Sequence, residues 1–268
     1  MLDLPSYGYT EDAANVQHGL DKSALLDGLG KLFLDYDWQK REVAIMYSHP
    51  SLLVSYCLSK ETRGLEIHNS GPLHDYYHSR HRVRYLLEEL LYQYDFVAPE
   101  QIQNGILDSY KVIFLPGIRA LSDADVQKLQ AFAARGGMIV SDFQPGEYDE
   151  LGVKRAALPL AHLPASQLLV IGKLFNDKDV AQKELFLKML QEAGAAPIMQ
   201  CENVASFSGR EAMHFTDDQM HVYAILRNFT RGSDSEEQKF TLPTSGYLYD
   251  MRKGICLGKT SSFACKVP

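Results

Sequence analysis

Lys111–Gly146 reads KVIFLPGIRALSDADVQKLQAFAARGGMIVSDFQPG, and this stretch decides the fold. Its first part, KVIFLP, is a continuous apolar run closed by Pro116 and Gly117, the pattern of a strand buried on both faces of a parallel sheet. Ser122 followed by Asp125 predicts a capping box with Asp in place of Glu. The helix it opens carries Val126, Leu129 and Phe132 at helical spacing and stops at Gly136 and Gly137. Met138 to Asp142 (MIVSD) then reads as a second strand. Two strands joined by a helix of this length pair in parallel through a right-handed crossover.

The flanking segments extend the same pattern. Glu42 to Ser48 (EVAIMYS) has the length of a buried strand and is broken by Pro50. From Leu73 to Tyr94 the residues Val83, Leu86, Leu87, Leu90 and Leu91 form the apolar stripe of an amphipathic helix. Phe96 to Ala98 reads as a brief strand, Gln167 to Gly172 as another, and Val180 to Ala193 as a helix with Leu187 and Leu190 facing inward. Residues 41–197 are therefore expected to form an α/β domain, a three-layer flavodoxin-like parallel sheet. Residues 1–40 read as a linker and a helix carrying Leu25, Leu26, Leu29, Leu32, Phe33 and Tyr36. After Pro197 the period changes to two. Met220–Phe229, Lys239–Leu242, Gly246–Asp250 and Ile255–Leu257 predict short strands in a small all-β, sandwich-like module over 198–268. That is few strands for a sandwich of about seven, so this module is expected to be truncated or completed by contacts elsewhere.

Composition narrows the function classes. The 268 residues are 46% hydrophobic and 23% charged with a formal net charge of -7, ordinary for a globular protein. The basic residues are scattered among acidic ones, which argues against a nucleic-acid partner. No apolar run approaches the roughly 20 residues that cross a bilayer, and Met1 to Thr10 lacks the features of a signal peptide. No membrane partner is expected, and the compartment stays open, with a bacterial cytoplasm favoured. The cysteines Cys57, Cys201, Cys256 and Cys265 are scattered, and core thiols are the favoured reading, although Cys256 and Cys265 could face each other across a hairpin.

Candidate chemistry is sparse. Ser141 is a conceivable nucleophile, but its strand turns the side chain sideways and no His–Asp pair follows at the usual distance. Ligands bind at the carboxyl ends of strands in open α/β sheets, so Asp142, Phe143, Gln144 and Glu147 are candidates for the lining of a pocket. His74, His78 and His81 share one helix at i, i+4, i+7 without an H-E-x-x-H pattern. With Tyr76, Tyr77, Arg80 and Arg82 interleaved, an interface patch at His74, Tyr77, His78 and His81 is favoured over a metal site. Glu88 with Glu89 and Glu236 with Glu237 read as solvated charge rather than a glycosidase acid/base pair. The N-x-[ST] match at Asn228, Phe229 and Thr230 is of the kind chance supplies. No catalytic residue, cofactor or metal is assigned.

The strand, helix, Gly-Gly, strand series resembles the centre of a class I glutamine amidotransferase domain, where a Cys stands on a sharp turn after the second of these strands. Here that turn reads Ser141, Asp142, Phe143, Gln144, Pro145, Gly146, with Phe143 nearest the nucleophile position. More specifically, VAIMYSHPS (43–51) and LEELLYQYDFVAPEQIQNGILDSYKVIFLPGIRALSDADVQKLQAFAARGGMIVSDFQPGEYDELG (87–152) resemble the middle domain of glycoside hydrolase family 42 β-galactosidases. GYLYDMRKGICLG (246–258) is similar to the small C-terminal β-domain that follows it. The resemblance implies an amidotransferase-like fold without its nucleophile and a role in homo-oligomer assembly, a trimer in that family, around a separate catalytic (β/α)8 barrel. It also implies a galactoside-type carbohydrate as the parent enzyme's substrate, with its catalytic glutamates in that barrel. Two alternatives stand beside it. One is a carbohydrate or small-molecule binding module using the strand-end pocket near Asp142. The other is an amidotransferase-like hydrolase acting through Ser141 or a cysteine such as Cys201.

Overall fold

The computed structural model describes residues 37–38, 41–61, 71–202, 204, 209–217, 219–227, 237–251 and 253–266. The helix expected around Leu25 to Tyr36, the Asn228–Thr230 match and Glu236 lie outside them. The chain divides into two compact units. One comprises Lys40–Ala212, Ile225–Ser245 and Ser261–Pro268, and the other Met1–Gln39, Met213–Ala224 and Gly246–Thr260.

The larger unit holds a five-stranded parallel sheet. Its strands are β2 (Val43–Met46), β3 (Tyr94–Val97), β4 (Val112–Leu115), β5 (Met138–Ser141) and β6 (Leu168–Val170), in the spatial order β3-β2-β4-β5-β6. All four pairings are parallel, and this is the flavodoxin-like order, with its switch point between β2 and β4. The period of two along each strand sends alternate side chains to opposite layers. Ala44, Met46, Ile113, Leu115 and Ile139 join one core with Ile102 of α3 (Pro99–Gln103) and Leu129 and Phe132 of α4 (Asp123–Ala134). Val43, Ile45, Val112, Phe114 and Val140 join the other with Leu86 and Leu87 of α2 (Pro72–Glu89) and Phe186 of α5 (Val180–Glu192). In that second layer Phe114 packs edge-on against Phe175 and Phe186 at 5.9 and 5.6 Å between centroids, an arrangement worth more than the buried area alone.

Local chemistry sets the ends of the elements. Ser122 caps α4 as expected, its Oγ accepting from the Asp125 N–H at 3.1 Å while the Asp125 carboxylate accepts from the Ser122 N–H at 3.1 Å. The α2 helix ends at Glu89 rather than running on to Tyr94, because Leu91 enters the left-handed region at φ 63°. Its side chain is fully buried, which offsets a conformational cost of about 1–2 kcal/mol. A helix not expected from the sequence, α1 (His49–Glu61), follows β2 directly. Pro50, expected to break the strand, also sits in the first turn of α1, where its missing N–H costs nothing.

The remaining strands are antiparallel; those at Glu237–Asp250 and Ile255–Lys266 are longer than the sequence suggested, His221–Arg227 is shorter than the expected Met220–Phe229, and Arg210–Thr216 was not expected. β1 (Asp37–Trp38), β8 (Arg210–Thr216) and β9 (His221–Arg227) form one sheet in the order β1-β8-β9. β7 (Gln200–Cys201), β10 (Glu237–Asp250) and β11 (Ile255–Lys266) form another in the order β11-β10-β7. The two segments expected at Lys239–Leu242 and Gly246–Asp250 are one strand. Cys256 and Cys265 both lie on β11, so they do not face each other across a hairpin, and at about 3.3 Å per residue they are far beyond disulfide reach. All four cysteines are free thiols.

The smaller unit contains a histidine pair with a pH consequence. His214 Nε2 lies 3.0 Å from His221 Nδ1, and the His214 ring stacks on Tyr223 at 4.3 Å. Burial, and then the neighbouring His221, pushes the His214 imidazolium down to about 4 from its ordinary 6.5. The unfolded chain therefore binds the extra proton first, and stability present above pH 6.5 is lost as the pH falls towards 4. The expected loss is on the order of 2–3 kcal/mol. Urea midpoints compared between pH 7 and pH 4.5 for the native chain and His214→Gln should show a loss that the variant largely lacks.

Candidate strand-end sites

The carboxyl ends of the parallel strands are where an open α/β sheet holds its ligands, and here helix α2 covers the switch point. Tyr76 is buried against it, its hydroxyl donating to the Ser48 carbonyl at 3.0 Å. Gly117, at φ 63°, lets α2 approach so closely that a Cβ there would stand 3.0 Å from the Tyr76 Cα. Ser51 Oγ closes the other side, donating to the Ala120 carbonyl and accepting from its N–H, both at 3.0 Å.

Asp142 is the hub of this closure. Its carboxylate accepts from Ser79 Oγ at 2.5 Å, from the Gly117 N–H at 2.9 Å and from the Phe143 N–H at 2.9 Å. Burial pushes its carboxyl above the ordinary range, with the three hydrogen bonds opposing that shift. An acid so enclosed is an internal acceptor joining α2, β4 and β5 rather than a group presented to a ligand.

The residues singled out around it do share one cleft. Asp142, Phe143, Gln144 and Glu147 line a hollow of about 540 Å³ together with Arg119 and Lys154. Glu147 pairs with Lys154 at 3.0 Å, and Phe143 is partly exposed at the rim. The turn bearing Phe143 lacks the parts of a nucleophile elbow, which needs a sharp strained turn from strand into helix. None of residues 141–144 has a positive φ, and no α-helix lies between β5 and β6. Ser141 is fully buried and donates to the Leu115 carbonyl at 3.0 Å, so its oxygen belongs to the sheet. Burial pushes the Cys201 thiol up to about 11, the opposite of an activated thiolate.

The α2 residues separate into two groups. His74 and His78 lie side by side at 4.3 Å between rings, and the Arg80 guanidinium sits 5.2 Å from the Tyr77 ring. His81 faces elsewhere, into a second cleft of about 390 Å³ at the carboxyl ends of β2 and β3, with Tyr47, Arg80, Arg84, Phe96 and Gln101. Among the described residues no group of three or more His, Cys, Asp or Glu side chains is placed to hold a metal, and no helix is long and apolar enough to cross a membrane.

The expectation for Glu88 and Glu89 is overturned. Both are buried at the end of α2. Glu89 lies 2.6 Å from Lys183 of α5, which is also buried, and accepts from the Gly209 N–H at 2.8 Å. Glu88 accepts from the Tyr94 hydroxyl at 2.8 Å and pairs with Arg84 at 3.2 Å. The apolar stripe of α2 is wide enough at this end to take both carboxylates inside, where charge must be paired.

No family model and no curated protein matches the sequence, but solved structures do. A β-galactosidase from Bacillus circulans sp. alkalophilus superposes on 94% of this chain with a TM-score of 0.66 at 15% identity. A family 42 β-galactosidase from G. stearothermophilus, in catalytic-mutant form, covers 84% at a TM-score of 0.55 and 15% identity. This chain has the fold of the matching part of those β-galactosidases. It spans 44% and 40% of their respective lengths. The likeness extends to an α-L-fucosidase isoenzyme from Paenibacillus thiaminolyticus, with 90% of this chain covered, 50% of that one, a TM-score of 0.53 and 12% identity. The same fold is thus found in chains named for different glycosidase activities.

Proposed function

We propose that this chain is a non-catalytic oligomerisation and scaffold region of a β-galactosidase-like glycoside hydrolase whose catalytic barrel lies outside it. The observation that carries the reading is the closed switch point. Where a class I glutamine amidotransferase would present its nucleophile this turn carries Phe143, and the adjacent Asp142 is consumed by Ser79, Gly117 and the Phe143 N–H. Two further facts support it: the chain matches less than half of each β-galactosidase, and the described parallel strands form an open five-stranded sheet rather than an eight-stranded barrel. In this reading the partners are copies of the same chain, in a trimer as the family resemblance implies, and the barrel of the parent enzyme.

The cleft beside Asp142 favours a second reading, carbohydrate binding, since Arg119 and Lys154 offer donors beside the exposed ring of Phe143. The hydrolase alternative has nothing comparable, with Ser141 and Cys201 both turned away from reactivity. Purified chain is expected to hydrolyse neither nitrophenyl β-galactoside nor glutamine above background, and Ser141→Ala and Cys201→Ala are expected to leave that background unchanged. Turnover abolished by either substitution would overturn the non-catalytic reading.

A further inference from the structure

The cleft at the carboxyl ends of β2 and β3 carries chemistry that the assembly role does not use. Among the described residues its lining includes two guanidinium groups, Arg80 and Arg84, and one imidazole, His81, and no carboxylate. Arg84 is partly neutralised by Glu88. Arg80 has aromatic neighbours instead: its guanidinium carbon lies 5.2 Å from the Tyr47 ring, 5.5 Å from Tyr76 and 5.2 Å from Tyr77. The ion pairs among the described residues leave it out. Rings within cation–π range attract a guanidinium without consuming its N–H groups, which remain donors for an oxyanion. The positive field is felt by His81, whose imidazolium is disfavoured first by burial and then by Arg80 and Arg84.

The rest of the lining suits a polyhydroxylated ring. Phe96 is 47% exposed at the mouth, an apolar face of the kind that sugar C–H groups cover. Gln101 accepts from the Ala98 N–H through its Oε1 at 2.8 Å, which leaves its amide N–H groups as donors. Tyr47 and His81 supply further polar atoms.

We propose that this cleft binds an acidic sugar, its carboxylate or sulfate group held by Arg80 and its ring seated on Phe96. The site is separate from the Asp142 cleft but shares His81 with the patch expected as an interface, and molar mass and ligand binding test the two readings separately.

Titration calorimetry on the full chain at low salt tests it, with galacturonate, galactose 6-sulfate, galactose and inorganic sulfate as ligands. The two acidic sugars are expected to bind saturably, with galactose and free sulfate weaker by about tenfold or more. Arg80→Gln is expected to weaken the acidic sugars by about tenfold or more, and added salt should weaken them further. Lys188→Gln, exposed on α5 and in neither cleft, should leave binding unchanged. Should Arg80→Gln fail to fold, Phe96→Ala and Gln101→Ala at exposed positions carry the test. Absence of saturable binding by both acidic sugars, equal binding of free sulfate, or binding indifferent to all three cleft variants would overturn the proposal.

Discussion

Lys183→Met is expected to destabilise the larger unit by about 3–5 kcal/mol, because it strands a buried carboxylate. Glu89 and Lys183 are each almost fully buried and 2.6 Å apart, and Glu89 also accepts from Gly209. The pair is costly to assemble and costlier to break, since a lone charge in that environment keeps the desolvation penalty and loses the attraction. Glu89→Gln combined with Lys183→Met removes the stranded charge while retaining an acceptor for Gly209, and should recover most of the loss. Urea midpoints at one fixed protein concentration read both effects. A single-variant loss below about 1 kcal/mol would mean that Glu89 finds water or a proton instead.

Asp142→Ala is expected to cost a comparable amount, about 3–5 kcal/mol, from the donors it leaves without an acceptor. Ser79 Oγ and the Gly117 N–H are both buried, and each unmet donor costs about 1–3 kcal/mol. Asp142→Asn keeps an amide oxygen for Gly117 and Phe143, so its loss should be roughly half as large. If alanine were tolerated at a cost below about 1 kcal/mol, water would have replaced the carboxylate. The strand end would then be an open pocket, and the carbohydrate-binding reading would gain at the expense of the scaffold.

How much of this was legible in the sequence follows from where the signals lie. Lys111–Gly146 announced its strands, cap and parallel pairing because each rests on neighbouring residues: Ser122 with Asp125, Gly136 with Gly137, and an unbroken VIFL. The lining of the Asp142 cleft was legible for the same reason, Asp142, Phe143, Gln144 and Glu147 being close in sequence. Helix α1 was not, because HPSLLVSYCLSKE has no clean apolar stripe and its Pro50 also marks a strand end. β10 was split in two because Pro243 and Gly246 interrupt its alternation, yet the strand runs through them. Nothing local marks Glu89 as buried, since Lys183 and Gly209 are distant in sequence. Likewise the Arg80 cleft draws Tyr47 from the loop after β2, Phe96 from β3 and Gln101 from α3, and only the fold assembles them.

Molar mass in solution bears most directly on the scaffold role, measured by multi-angle light scattering from micromolar to several hundred micromolar protein. A single oligomeric species that persists on dilution, of three times the 30.2 kDa chain mass for the trimer that the resemblance implies, is the predicted result. A mass that stays at one chain across the whole range would contradict it.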